Sequence, residues 1–274
     1  MKGGRKLTDE GPALYAVVGK PVVYSRSPAM HNAAFRALRM PARYVRLAAR
    51  SSEEALEKAR SRGVRGLNVT SPFKEDFARH CDELEGPAKT LGAVNTVVFR
   101  DEKTYGFNTD GYGVAQALRS NGVSLKGKRA IVLGGGGAAK AAAHALVSEG
   151  ARVVVANRTA QKAWKIAESL GCGHCTLRPE ELKGAFKDAE IVVSAVGTTE
   201  RIVPRSLLKR TMTILEANYT AQTALRRDAQ QKGCRVIDGR EWLLFQGARA
   251  FEIFTRRKAP LVPMRKALYE KSES

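Results

Sequence analysis

The stretch RAIVLGGGGAAKAAAHALVSEG (129–150), continued by ARVVVANRTAQKAWKIAESL (151–170), decides the fold. A short apolar strand (129–134) runs straight into glycine and leaves as an alanine-rich helix. A second Val-rich strand (152–158) and a second helix follow. Glycines between a strand and a helix permit a tight turn. They also let backbone N–H groups at the helix N-terminus approach a pyrophosphate. Gly134, Gly135, Gly136, Gly137 and Ala138 are therefore candidate cofactor-binding residues. The position that reads the ribose lies about 20 residues further on, and an NAD site puts Asp or Glu there. Here the second strand ends in Asn157-Arg158-Thr159, without a carboxylate. Arg158 offers a planar fork for a 2′-phosphate, Asn157 and Thr159 add hydrogen bonds, and Lys162 lies one turn on. This set points to NADP rather than NAD. The plainer reading is that Thr159 caps the next helix and Arg158 is solvated.

Reading outward, AEIVVSAVG (189–197), TMTILEA (211–217) and CRVID (234–238) are further short apolar strands, with a helix (TALRRDAQQKG) between the last two. Toward the N-terminus the same alternation recurs. Strands at 13–19, 42–49, 65–70 and 95–100 are separated by helices at 27–39, 52–61 and 74–81. Continuous apolar strands separated by helices predict parallel sheets covered on both faces. The chain is thus α/β with two lobes, and YGFNTDGYG (105–113), rich in glycine, marks the irregular boundary near 105–125. The expected division is 1–110, 111–240 and 241–274. The last segment, REWLLFQGARAFEIFTRR, is helical, with Leu244, Ala248 and Phe251 at helical spacing. There is no internal repeat, and residues 1–12 read as an extension ahead of the first strand.

At 274 residues, with 43% hydrophobic and 27% charged, the chain has a globular composition. No apolar run approaches the roughly 20 residues of a membrane span. The first fifteen residues lack the apolar core of a secretory signal, so the expected location is cytoplasmic. Lys plus Arg number 47 against 27 Asp plus Glu, a formal charge of +20. Such a surface attracts polyanions. Yet the basic residues are spread along the chain and aromatics are only 7%, thin for base stacking, which argues against a nucleic-acid role. Cys172 and Cys175 have C-x-x-C spacing around His174, but no second pair accompanies them. They read as two incidental thiols in a turn.

Four polar clusters remain: Tyr24-Ser25-Arg26-Ser27-Pro28, Asn68-Val69-Thr70-Ser71-Pro72-Phe73-Lys74, Gly92-Ala93-Val94-Asn95-Thr96 and Asn108-Thr109-Asp110-Gly111. Strand ends and the crossover between lobes are where α/β sheets bind ligands. These motifs, with the glycine turn, N-R-T and the late F-Q-G-A-x-x-F-E, occur together and in order over residues 19 to about 252. In this they resemble the shikimate dehydrogenase family. The resemblance implies a substrate domain, a Rossmann domain that binds NADP, and C-terminal helices returning to the substrate domain. It implies NADPH-dependent reduction of 3-dehydroshikimate to shikimate, on the route to chorismate and aromatic amino acids, by a monomer or homodimer. By the same resemblance Lys74 and Asp110 are the catalytic pair. Ser25 and Ser27 bind the substrate carboxylate. Thr70, Asn95, Asp110 and Gln246 bind the ring hydroxyls, and Tyr219 reaches the substrate.

The residues suit that chemistry on their own terms. Hydride addition to a ketone develops negative charge on oxygen, which a nearby cation or proton donor stabilises. Lysine is such a group at neutral pH. A solvated lysine at a helix start is the alternative, but a cation there is electrostatically unfavourable. Ser25 and Ser27 also read as helix caps, Ser27 with Pro28 in the first turn, and Asp110 as a simple strand terminator. His31 reads as structural, and Gln246 on an apolar helix face needs a polar partner. The family pattern is broken at Tyr24, at Ser194-Ala195-Val196-Gly197-Thr198-Thr199, at Glu216-Ala217-Asn218-Tyr219-Thr220 and at Phe254. Three other readings stay open. They are a quinate/shikimate dehydrogenase with relaxed substrate or cofactor use, a non-catalytic shikimate-binding relative, and a nucleic-acid-binding protein.

Overall fold

A computed structural model describes residues 11–270; most of the extension expected over 1–12 lies outside them. The chain opens with β1 (Ala13–Val18), α1 (Ser27–Ala37), β2 (Ala42–Leu47), α2 (Ser52–Ser61), β3 (Val64–Val69) and α3 (Lys74–His80). It continues through β4 (Glu83–Leu84), α4 (Pro87–Leu91), β5 (Thr96–Arg100), β6 (Lys103–Phe107) and α5 (Asp110–Ser120). These strands form one six-stranded sheet, ordered β2-β1-β3-β5-β6-β4. β1 runs parallel to β2 and β3, but β5 is antiparallel to both β3 and β6.

This first sheet is therefore mixed, not parallel as the alternation predicts, and residues 103–107 are a strand rather than irregular. The cause is a tight hairpin. Arg100 pairs with Lys103, and the two loop residues Asp101 and Glu102 have φ of 50° and 61°. Two-residue hairpin loops with both φ positive match the strand twist, and their usual sequence signal is Asn-Gly or Asp-Gly. Asp-Glu carries no such signal.

The second sheet takes β7 (Arg129–Leu133), α6 (Gly137–Ser148), β8 (Arg152–Ala156), α7 (Ala160–Leu170), β9 (Gly173–Cys175), α8 (Pro179–Phe186) and β10 (Ile191–Ser194). It ends with β11 (Thr213–Glu216), α9 (Ala224–Gln231) and β12 (Arg235–Asp238). All six strands are parallel, in the order β12-β11-β10-β7-β8-β9. The order reverses between β7 and β10, a topological switch point, where a crevice opens beyond the strand ends. The C-x-x-C segment corrects one expectation: it leads into and forms edge strand β9 instead of a turn. All four cysteines are unpaired. Burial raises the Cys172 thiol and pushes that of Cys175 up to about 11, so neither is a ready nucleophile.

The chain closes with α10 (Gly239–Thr255) and α11 (Leu261–Tyr269). α10 joins the two halves. Trp242 and Phe245 belong to the core over the second sheet, while Leu244, Ala248 and Phe251 belong to the core over β1 and α1. α10 also packs closely along α5. Gly113 makes this possible, because a Cβ there would lie 2.8 Å from the Trp242 carbonyl oxygen and from Gln246 Cβ. That approach brings Trp242 and Gln246 to the start of α5, where Asp110 sits.

Candidate active site

A cavity of about 300 Å³ lies between the two sheets. The first lobe contributes Ser25 and Ser27 from the approach to α1, and Asn68, Thr70 and Lys74 from the end of β3 and the start of α3. Asn95 precedes β5, and Asp110 opens α5. From the second lobe and α10 come Ala138, Tyr219, Trp242 and Gln246. All eight residues expected on the substrate side thus line one cavity, together with Ala138 of the expected cofactor turn.

Within it, Lys74 Nζ makes an ion pair with Asp110 Oδ2, the two side chains being 15% and 9% exposed. The carboxylate is held at its other corner, where Asn95 Nδ2 donates to Asp110 Oδ1 at 2.9 Å. The Asp110 N–H donates to Asn108 Oδ1 at 3.1 Å, and Trp242 Nε1 donates to the Asp110 carbonyl at 3.0 Å. A carboxylate at the first residue of a helix is also favoured by the helix dipole. The position of Lys74 at the start of α3 is unfavourable for a cation by the same argument. Asp110 offsets it.

Asn95 is 2% exposed, and its amide is committed within the protein. Its Nδ2 faces Thr109 Oγ1 (2.9 Å), Asp110 and Gln246 Oε1 (3.3 Å), and its Oδ1 accepts from the Thr109 N–H at 2.8 Å. Gln246 has thereby found the polar partner its place on an apolar helix face demands. Ser27 is not a side-chain cap: α1 begins at Ser27 itself, Arg26 is the N-cap, and no side-chain capping bond forms. The Ser27 N–H instead donates to Ser25 Oγ at 3.3 Å, and Ser27 is buried against the cavity. Burial raises the Tyr219 phenol, which stays a neutral donor at working pH, although its contact with Arg26 opposes the shift.

Among the further lining residues, Asn68 and Trp242 are ones to which sequence reading gives no role. Asn68 sits two residues before Thr70, and in the strand expected over 65–70 that spacing puts both on one face. Trp242 sits four residues before Gln246, one helical turn along the same face. Those spacings were the available signals. His31 is structural, as expected. It is fully buried, stacks on Tyr44 with ring centroids 4.3 Å apart, and burial lowers its pKa to about 3.

The second lobe brings the remaining candidates together at the ends of β7 and β8. Gly134 has φ +132°, and a Cβ there would lie 2.9 Å from the Ala195 carbonyl oxygen, so only glycine fits easily. Gly135 is tight against Asn157 and Lys162, whereas Gly136 and Gly137, at the N-terminus of α6, have nothing within 4 Å of a built Cβ. That open cradle fits a pyrophosphate. Arg158, Thr159 and Lys162 are exposed beside it and no carboxylate follows β8, which fits a 2′-phosphate. Thr159 does occupy the N-cap of α7, but without a side-chain capping bond. Its side chain thus stays available to a ligand. Among the described residues no cluster suited to a metal ion occurs, and no helix is long and apolar enough to cross a membrane.

Fold and site together define a two-lobed α/β protein, with a Rossmann-like sheet and a polar cavity facing its switch point. Three family models match in sequence. They are the shikimate dehydrogenase substrate binding domain over residues 17–97, shikimate/quinate 5-dehydrogenase over 115–228 and the shikimate 5′-dehydrogenase C-terminal domain over 239–269. The shikimate dehydrogenase (NADP(+)) of Natronomonas pharaonis is 43% identical over 264 residues, 93% of this chain and 98% of that one. Among solved structures, the shikimate dehydrogenase of Aquifex aeolicus superposes with a TM-score of 0.89 at 34% identity, covering 94% of this chain and 98% of the other. The shikimate 5-dehydrogenase of Thermus thermophilus, solved with NADP(H) and shikimate, gives 0.86 at 35% identity, covering 93% and 98%. The chain belongs to the shikimate dehydrogenase family.

Proposed function

We propose that this chain interconverts 3-dehydroshikimate and shikimate with NADP, and that Lys74 and Asp110 are its acid–base pair. The observation that carries the reading is the Lys74–Asp110 ion pair inside a cavity that also holds every other residue expected to touch the substrate. Ser25 and Ser27, at the N-terminal end of α1, receive the substrate carboxylate, where hydroxyls and helix N–H groups favour an anion. Thr70, Asn95, Asp110 and Gln246 take the ring hydroxyls, and Tyr219 closes over the substrate from the second lobe. The turn Gly134–Ala138 holds the pyrophosphate, and Asn157, Arg158, Thr159 and Lys162 hold the adenosine ribose and its 2′-phosphate. The cofactor, when bound, would supply the hydride as NADPH in the reduction and accept it as NADP⁺ in the oxidation.

In the reduction, Lys74 Nζ stabilises the charge that develops on the carbonyl oxygen and gives that oxygen its proton. Asp110 keeps the ammonium aimed into the cavity throughout. In the oxidation Lys74 Nζ takes the hydroxyl proton back. Residues 1–110 and 241–274 serve the substrate and 111–240, Tyr219 apart, the nucleotide. The family resemblance implies a monomer or homodimer. Unpaired thiols suit the cytoplasm.

Absorbance at 340 nm tests the reading, with shikimate or quinate as substrate and NADP⁺ or NAD⁺ as oxidant. Reduction with shikimate and NADP⁺ is expected. Faster turnover of quinate, or preference for NAD⁺, would move the assignment to the quinate side of the family. No turnover by a folded protein that still binds shikimate would overturn the catalytic reading.

A further inference from the structure

A run of hydrogen bonds in which every donor points the same way starts behind the cavity and reaches its wall at Asn68, Asn95 and Asp110. The Tyr44 hydroxyl donates to Asn68 Oδ1 at 2.7 Å. Asn68 Nδ2 donates to Thr96 Oγ1 at 3.0 Å, and Thr96 Oγ1 donates to Asn95 Oδ1 at 3.0 Å. Asn95 Nδ2 then donates to Asp110 Oδ1 at 2.9 Å. Tyr44, Asn68, Thr96 and Asn95 are all buried, none more than 6% exposed. The far end is fixed: Asn32 clamps the Tyr44 backbone, accepting from its N–H at 2.8 Å and donating to its carbonyl at 2.9 Å. His31 stacks on the Tyr44 ring. Both amides are locked in one orientation, because Asn68 Nδ2 also donates to the Asn95 carbonyl at 3.1 Å and Asn95 Oδ1 also accepts from the Thr109 N–H.

We infer that Tyr44, Asn68 and Thr96 are positioning residues, forming a one-way donor chain that acts through Asn95 to hold the Asp110 carboxylate aimed at Lys74. Aligned hydrogen bonds in a low-dielectric interior polarise one another. A chain of donors that ends on a carboxylate oxygen strengthens the bond made to the negative charge. The arrangement also fixes rotation: with Oδ1 held by Asn95, Oδ2 is turned toward Lys74. The inference rests on the reading of Lys74 and Asp110 given above.

The chain makes a graded prediction, because its links lie at different distances from the carboxylate. Thr96→Val keeps shape and removes the hydroxyl; kcat for shikimate oxidation falls about tenfold, the scale of one buried hydrogen bond. Thr96→Ser restores the hydroxyl and returns kcat to within about twofold of the parent. Tyr44→Phe keeps the stack on His31, cuts only the remotest link and costs about two- to threefold. KM for NADP⁺ is unchanged in all three, and melting temperatures are recorded in parallel. A Thr96→Val kcat within twofold of the parent, a serine that fails to restore it, or a loss that appears equally in KM for NADP⁺ overturns the chain. Should Thr96→Val fail to fold, Tyr44→Phe decides: no change in kcat overturns the proposal. An inert parent enzyme overturns the reading of the reaction itself and the chain's role with it, whereas an active parent with unaffected variants overturns the chain alone.

Discussion

The two halves of the site are built by opposite means. On the substrate side, Asn95, Asp110 and Asn68 are buried, Lys74 is half-buried, and the four are joined by hydrogen bonds, so the polar groups are oriented before any ligand arrives. On the nucleotide side, the shape comes from backbone: an open glycine cradle at the start of α6, with Arg158, Thr159 and Lys162 exposed around it. Chemistry that must place a proton within tenths of an ångström sits in the rigid half. Charge recognition, which tolerates movement of long side chains, sits in the exposed half.

The largest expected effect probes the rigid half. Lys74→Ala lowers kcat by on the order of 10²–10⁴, the usual scale for a general acid–base group, while the Kd for NADP⁺ in calorimetry stays near that of the parent. Next comes the exposed half. Arg158→Ala raises KM for NADP⁺ by about 10- to 100-fold, as loss of a charged hydrogen-bonding partner does, and leaves KM for NAD⁺ nearly unchanged. An equal loss with both cofactors would remove Arg158 from 2′-phosphate recognition and blur the contrast.

A smaller effect concerns pH. His31 has a folded pKa near 3, far below its usual 6.5, because it is fully buried, and neither ring nitrogen has a partner among the described residues. Between those values the unfolded chain binds a proton that the folded chain does not. The stabilisation is therefore complete above about pH 6.5 and is lost as pH falls toward 3, with a slope of up to about 1.4 kcal/mol per pH unit. His31→Phe, which keeps a ring against Tyr44, should flatten chemical-denaturation stability between pH 6.5 and 4. An unchanged slope would show that carboxylates account for the acid sensitivity instead. Smallest is Gly134→Ala: a side chain at φ +132° and 2.9 Å from a carbonyl oxygen costs about 1–3 kcal/mol, read as a lower melting temperature.

Legibility in the sequence followed the same division. The glycine turn between β7 and α6 was readable because its signal is local, carried by four consecutive residues in strand–helix context. The clusters ending in Thr70, Lys74, Asn95 and Asp110 were each visible, but their convergence depends on α10 crossing Gly113, a contact between residues far apart in the chain. The β5–β6 hairpin was hidden because Asp101-Glu102 adopts a turn that its residues do not advertise. The donor chain was hidden for a different reason. Tyr44, Asn68 and Thr96 lie on three strands, and a buried polar residue declares its partner only once the register is known.

The central claim is that Lys74, held by Asp110, moves the proton that accompanies hydride transfer. Single-turnover oxidation of shikimate by NADP⁺, followed at 340 nm from pH 7 to 10, tests it most directly, with 3-deuterated shikimate beside the ordinary substrate to establish that chemistry is being observed. An amine accepts a proton only in its neutral form, and the neutral share of a lysine grows as pH rises. The expected result is a rate that climbs across this range in the parent enzyme and a slow, flat rate in Lys74→Ala. A flat, isotope-sensitive rate in the parent, or a variant that climbs in parallel with it, would contradict the claim.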